Sequence, residues 1–197
     1  MDVVLAGAGL LLSAPVWAAV AAAVRLEDGG PVFYGQQRVG RGGELFRSWK
    51  FRSMKEEPEV GDGPERQAGR GDPRVTRVGR LLRATALDEL PQLWSILVGD
   101  MSFVGPRPML PEEETARGGE VVPLGEVEGY AERHSVRPGL TGLAQVRAPR
   151  DLPPRDKFRY DRLYVRNRSL GLDLKLFFLS VWISLRGKWP EVGRGRG

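Results

Sequence analysis

Residues 3–24 contain no charged side chain, and Arg25, Glu27 and Asp28 follow directly. A run of about 20 apolar residues is long enough to cross the hydrocarbon core of a bilayer as a helix. A cleavable leader would normally begin with basic residues, whereas this chain opens Met1-Asp2. Pro15 lies in the middle of the run, where it offers no amide donor and clashes with the preceding turn, so a break or kink is expected there. A helix broken in this way either spans or turns back and leaves on the side it entered.

At 197 residues the chain is long enough for one sizeable core beside a membrane element. It has no cysteine and one histidine, His134, which excludes disulfides, thiolate metal sites and cysteine nucleophiles and argues against zinc. A net charge of +5 favours anionic partners: nucleic acid, lipid headgroups or nucleotide phosphates. A nucleic-acid-binding protein would explain the charge but leave the apolar N-terminus unused.

Beyond the apolar run, Pro31-Val32-Phe33-Tyr34 and Leu45-Phe46-Arg47-Ser48-Trp49-Lys50-Phe51 read as strands of a β-hairpin around Gly40-Arg41-Gly42-Gly43. Residues 55–72 are polar and rich in Gly and Pro, and read as an exposed loop. Residues 76–86 form an amphipathic helix with Val78, Leu81, Leu82 and Ala86 on one face and Arg74, Arg77, Arg80 and Arg83 along another stripe. That stripe is either a solvated face or a contact for anionic headgroups. Residues 90–98 make a short helix starting at Pro91, and Gly105-Pro106-Arg107-Pro108 a rigid non-helical turn. Residues 111–129 read as a helix start followed by a loop, residues 143–146 as a short strand and residues 158–165 as a helix. Residues 170–185 read as a core or interfacial helix, with Trp182 and Trp189 suited to the headgroup boundary. The class is α+β, mostly helical with a small β-hairpin or sheet.

Leu87-Asp88-Glu89-Leu90-Pro91 sets two carboxylates side by side before a proline-initiated helix. Adjacent residues do not share a helix face, so they converge on one ligand only where the backbone turns. A helix start there also offers amide donors to phosphate. The competing structural reading is a capping box, Thr85-Ala86-Leu87-Asp88, in which Asp88 only stabilises a helix. Lys50, Arg52, Arg107, Arg133 and Arg137 stand at loops or element ends, and carboxylates among fixed cations suggest metal-assisted phosphoryl chemistry. Each arginine taken alone is as well explained by a surface salt bridge, and His134 reads as structural.

Several motifs in order then match a known pattern: Gly30-Pro31-Val32-Phe33-Tyr34, Gln37-Arg38-Val39-Gly40, Lys50-Phe51-Arg52-Ser53-Met54, Asp72-Pro73-Arg74-Val75-Thr76-Arg77, Leu87-Asp88-Glu89-Leu90-Pro91-Gln92-Leu93-Trp94, Gly99-Asp100-Met101-Ser102-Phe103-Val104-Gly105-Pro106-Arg107-Pro108 and Val136-Arg137-Pro138-Gly139-Leu140-Thr141-Gly142 through Gln145-Val146. Over nearly its whole length the chain resembles the bacterial sugar transferases, the monotopic phosphoglycosyl transferases that act on a polyprenyl carrier.

The resemblance implies transfer of a sugar phosphate from a nucleotide diphosphate sugar, expected to be a UDP-sugar, to polyprenyl (undecaprenyl) phosphate, initiating surface glycan or exopolysaccharide synthesis. It implies Asp88 as the nucleophile that forms a covalent phosphosugar intermediate, Glu89 as ligand of a Mg²⁺ cofactor, and Arg107 as a clamp on substrate phosphate. Lys50, Arg52, Arg137 and Gln145 are carried over as nucleotide- or phosphate-binding residues. The family's membrane helix breaks at a Ser-Pro pair; here Pro15 falls at the proline, Ala14 at the serine, and Ser13 one place early. The implied organisation is a re-entrant membrane helix over residues 1–25 and a catalytic domain over residues 26–197, with an interfacial helix at about 170–185. Membrane lipids at the cytoplasmic face of the inner membrane are expected partners and nucleic acid is not, with a homodimer left open. A catalytically inactive membrane-surface scaffold of the same fold is the alternative, against which the intact Asp88, Glu89 and Arg107 argue.

Overall fold

The structure is a computed structural model describing residues 1–55, 72–117, 120–149 and 152–186. It is α+β, with seven α-helices and three two-stranded sheets among the described residues. The chain divides into two compact units, Met1–Gln36 with Arg47–Gly99, and Gln37–Phe46 with Asp100–Gly197. Strands β1 (Phe33–Val39) and β2 (Leu45–Phe51) form the expected hairpin, and β1 runs further than the sequence pattern suggested.

In the first unit, helix α1 (Asp2–Asp28) is continuous through Pro15, so the expected break does not interrupt its secondary structure. The Ser13 hydroxyl donates to the Gly9 carbonyl at 2.6 Å and accepts from Trp17 Nε1 at 3.0 Å, although it sits one place before the family position. Both polar groups are thereby satisfied inside an apolar helix, where an unmet donor would be costly. Only 11% of the most apolar 18-residue window of α1 is buried, and Val4, Leu11, Leu12 and Leu26 stand exposed. The few buried positions decide where the helix docks. Ala6 is fully buried, Gly7 and Gly9 face Leu97 and Leu93, and Trp17, Val20 and Val24 pack with Phe51, Leu82, Leu87 and Leu90. Trp17 meets the Phe51 ring edge-on at 5.3 Å, and Phe33 stacks on Phe51 at 5.3 Å. At the foot of α1, the Glu27 carboxylate accepts from the amides of Arg77 and Val78 at 2.6 and 3.1 Å. These are orphan donors of helix α2 (Arg77–Thr85), whose cap, Thr76, accepts from the Gly79 amide at 2.8 Å. Helix α3 (Gln92–Val98) closes the unit, with Pro91 just before its first turn and Gly99 ending it in the left-handed conformation.

In the second unit, β3 (Ser102–Val104) pairs in parallel with β6 (Gly139–Thr141), Ser102 opposite Gly139 and Val104 opposite Thr141. Two expectations are corrected here. The helix start expected within residues 111–129 is an antiparallel pair, β4 (Glu114–Arg117) with β5 (Glu120–Pro123). The β-branched Thr115, Val121 and Val122, with Gly-Gly between the two runs, are the hairpin signal that the acidic composition hid. The strand expected at residues 143–146 is instead helix α5 (Leu143–Arg147), and the strand precedes it as β6. Helices α4 (Tyr130–Arg133) and α6 (Pro154–Asn167) pack around Met109, Leu124 and Phe158, and α7 (Leu170–Arg186) packs on β3, where Phe177 meets the Phe103 ring edge-on at 5.5 Å. The expected loop at residues 55–72 falls largely on residues 56–71, which lie outside the described residues, as does Trp189.

Candidate active site

The two carboxylates stand where the backbone reverses. Helix α2 ends at Ala86, the one non-glycine residue with positive φ (56°) among the described residues. Leu87–Glu89 then form a single 3₁₀ turn that leads through Pro91 into α3. Leu87 and Leu90 anchor this turn in the core of the first unit, while Asp88 and Glu89 between them are left for other contacts. The capping-box reading is not realised: Thr85 is the last residue of α2 and its hydroxyl donates backwards to Leu81 and Leu82. The backbone amides of this turn are also taken up, Glu89 by the Ala86 carbonyl and Leu90 by that of Leu87, both at 3.2 Å. Phosphate binding on free helix-start amides, expected from the sequence, is therefore not available at Glu89 or Leu90.

Asp88 is 9% exposed, and among the described residues no side-chain donor is bonded to its carboxylate. Burial pushes its pKa above the ordinary aspartate value; Lys50 draws it down, Glu89 pushes it up and Arg83 draws it down. Glu89 is partly exposed and receives the Lys50 ammonium at 2.6 Å, so strand β2 supplies a cation to the pair. Arg52 lies two residues after Lys50, just beyond the end of β2, and meets a different carboxylate. Its guanidinium is 7% exposed and bonded to Asp28 at the foot of α1, which makes it a bracket between that helix and the strand. Among the described residues no three or more His, Cys, Asp or Glu side chains are grouped so as to hold a metal ion by themselves. Magnesium commonly takes one or two protein carboxylates and completes its shell with substrate phosphate and water. The neighbouring Asp88 and Glu89 fit that donor set, with Glu89 the more accessible.

The second unit carries Arg107, Arg137 and Gln145. Gly105-Pro106-Arg107-Pro108 is non-helical, as expected, and four successive carbonyls, three in the turn and that of Met109 after it, are held. Pro106 O accepts from the Gly139 amide at 2.8 Å, Arg107 O from Arg133 Nη2 at 2.7 Å, Pro108 O from Arg38 Nη1 at 3.4 Å and Met109 O from the Val39 amide at 2.9 Å. Glycine is required where the turn meets β6, since a Cβ on Gly139 would stand 2.1 Å from Gly105 N and one on Gly142 2.1 Å from Gly105 O. The Arg107 and Arg137 side chains remain exposed. Gln145 is half-buried, and both its carboxamide atoms, like the Thr141 hydroxyl, are buried without a partner among the described residues. His134 is structural, as expected: it is buried, bonded to the Tyr130 carbonyl at 2.8 Å and to Arg133 at 2.9 Å. Burial and Arg133 push its pKa down to about 4.

Sequence reasoning grouped Arg133 with the loop cations. The structure buries it, 3% exposed, against Asp161 of α6 at 3.0 Å. The available signal was Asp161 itself, a carboxylate in register with Phe158 and Tyr164 on the apolar stripe of α6, which demands a buried cation.

Comparison with known proteins agrees with this arrangement of motifs. The family model described as bacterial sugar transferase matches residues 1–187. The UDP-glucose:undecaprenyl-phosphate glucose-1-phosphate transferase of Escherichia coli (strain K12) is 44% identical over 186 residues, 92% of this chain and 38% of that protein. The Caulobacter vibrioides protein of the same name is 43% identical, covering 92% of this chain and 67% of its own length. The exopolysaccharide production protein ExoY of Rhizobium meliloti (strain 1021) is 39% identical, covering 91% and 81%. The chain thus spans well under half of the E. coli relative and most of the rhizobial one. With a family model over nearly its full length and relatives that match it throughout, the chain belongs to the bacterial sugar transferase family.

Proposed function

We propose that the protein is a phosphoglycosyl transferase that moves a sugar phosphate from a UDP-sugar to undecaprenyl phosphate, for exopolysaccharide or related glycan synthesis. The observation that carries the reading is Asp88: a buried carboxylate without a bonded side-chain donor, beside a Glu89 already matched to a cation. A carboxylate stripped of water and donors is a better nucleophile than a solvated one, and relatives named for UDP-glucose and undecaprenyl phosphate match 92% of the chain. In the first step an Asp88 oxygen attacks the sugar-bearing phosphorus, and the bond to the other phosphate breaks, releasing UMP. In the second, an oxygen of undecaprenyl phosphate attacks the same phosphorus, the bond to Asp88 breaks, and the carboxylate is regenerated. Glu89 would hold Mg²⁺, which supplies neutralisation of the diphosphate charge as an anion approaches it. Lys50 keeps Glu89 oriented and adds positive charge beside Asp88, and the exposed Arg107 binds a substrate phosphate through its guanidinium fork.

The membrane reading belongs with this one. Both halves of α1 dock on the unit that carries Asp88, the first through Ala6, Gly7 and Gly9 and the second through Trp17, Val20 and Val24. An end-on span would carry the first half away from that unit, so the packing favours a monotopic helix; its re-entrant turn at Pro15 and its place at the cytoplasmic face of the inner membrane are part of the same proposal. On α7, Leu170, Leu174, Phe178, Val181 and Trp182 stand exposed, and Arg186 lies over the Trp182 ring at 4.0 Å, which supports an interfacial helix.

Membranes carrying the protein, incubated with undecaprenyl phosphate and a panel of UDP-sugars, should release UMP with one or a few of them. Asp88→Asn should abolish this release while leaving membrane attachment unchanged, and excess chelator should stop it. Residual turnover at the wild-type rate in Asp88→Asn would remove the covalent mechanism.

A further inference from the structure

We propose that Arg133 is the positioning residue for Arg107, setting the clamp on substrate phosphate without touching substrate itself. The inference rests on the reading of Arg107 as that clamp.

Each nitrogen of the Arg133 guanidinium has a partner inside the second unit. Nε donates to Asp161 Oδ2 at 3.0 Å, Nη1 meets His134 Nε2 at 2.9 Å, and Nη2 donates to the Arg107 carbonyl at 2.7 Å. Its face lies over the Phe158 ring, 4.9 Å from the centroid. His134 Nδ1 is directed at the Tyr130 carbonyl, which leaves Nε2 to accept from Arg133; a neutral imidazole is the form that fits, in keeping with its depressed pKa. At 3% exposure Arg133 is closed to a ligand, whereas the Arg107 side chain is exposed.

The chemistry of the turn explains why a buried cation is used there. Pro106 and Pro108 have no amide, so the backbone on either side of Arg107 has few donors with which to fix itself and must be held through its carbonyls. Arg133 holds the carbonyl of Arg107 itself, in one of the two peptide groups that flank its Cα and direct that side chain; the other, at Pro106, is held by the Gly139 amide. A lysine could replace the charge but not the planar three-way fork that joins α6, α4 and the turn. Charge alone should therefore not restore the function.

A double-mutant cycle on the full chain in detergent, with UDP as the probe and UMP release as a second readout, tests this. Arg133→Lys should weaken UDP binding and lower kcat/KM about ten-fold, and it should have no further effect in an Arg107→Ala background, since coupled residues are not additive. Penalties that multiply in the double variant would overturn the proposal while leaving the clamp intact. Wild-type binding by Arg133→Lys would overturn it equally. Wild-type binding and turnover by Arg107→Ala would instead remove the clamp, a separate result that takes the proposal with it. If Arg133→Lys fails to fold by thermal melt, Asp161→Asn, which keeps an acceptor oxygen for Nε, takes its place in the cycle under the same criteria.

Discussion

Asp88 carries a conflict between stability and reactivity. Its folded-state pKa is raised, mainly by burial, so folding favours the protonated carboxyl. The stabilising contribution of that protonated form is present below the unfolded-state pKa and is lost as pH rises through the folded value. At neutral pH the buried carboxylate therefore opposes folding, and Asp88→Asn, inactive in transfer, should melt no lower than wild type in a thermal scan. A clear fall in Tm would mean that the carboxylate is structurally needed. Lys50 acts in the other direction, drawing the Asp88 pKa down. Lys50→Met should move the acidic limb of the pH–rate profile upward, because a higher pH is then required to ionise the nucleophile; a limb that stays still or moves down would contradict the coupling. Of these features the sequence shows the carboxylate pair but not its environment. Whether Thr85 caps Asp88 or bonds back to Leu81 depends on where α2 ends, which the left-handed Ala86 decides and no local pattern announces.

At the scale of elements, the contact between α1 and α3 connects the membrane helix to the chemistry, since α3 begins three residues after Glu89. Small residues allow the two helices to approach closely. A Cβ on Gly9 would lie 3.2 Å from Leu93 Cδ1, and one on Gly7 an ordinary 3.9 Å from Leu97 Cδ1. Gly9→Val should therefore destabilise the protein by about 1–3 kcal/mol through overpacking, and lower turnover as α3 shifts, while Gly7→Ala should be nearly neutral in both. Melting curves and UMP release on the two variants check this, and equal effects would place the close approach elsewhere. The long apolar helix, the hairpin and the basic helix were legible because each has a strong period or a glycine turn. The β4–β5 pair and α5 were not, since runs of four or five residues are too short for periodicity to separate strand from helix. Their form depends on neighbours, as with β6, which exists as a strand through its pairing with β3.

For the whole molecule, the order of motifs along the chain made the family legible before any contact was known, but not the division into two units. Lys50, Arg52, Asp88 and Glu89 belong to the first, Arg107, Arg137 and Gln145 to the second. The absence of cysteine makes membrane topology directly testable. Single-cysteine variants Asp2→Cys and Leu26→Cys should both react with a membrane-impermeant maleimide from the cytoplasmic side and neither from the outside. Labelling of Asp2→Cys only from outside would establish a span. The four tethered carbonyls of residues 106–109 also bear on how the protein matures. Their donors come from residues 38, 39, 133 and 139, so the turn is set only after the hairpin tip, α4 and β6 have all assembled. Contacts this distant in sequence must first meet the entropy of closing long loops, which slows their formation. A nascent or half-folded chain therefore lacks a correctly set Arg107 and remains catalytically silent, and competence arrives as a final event of assembly.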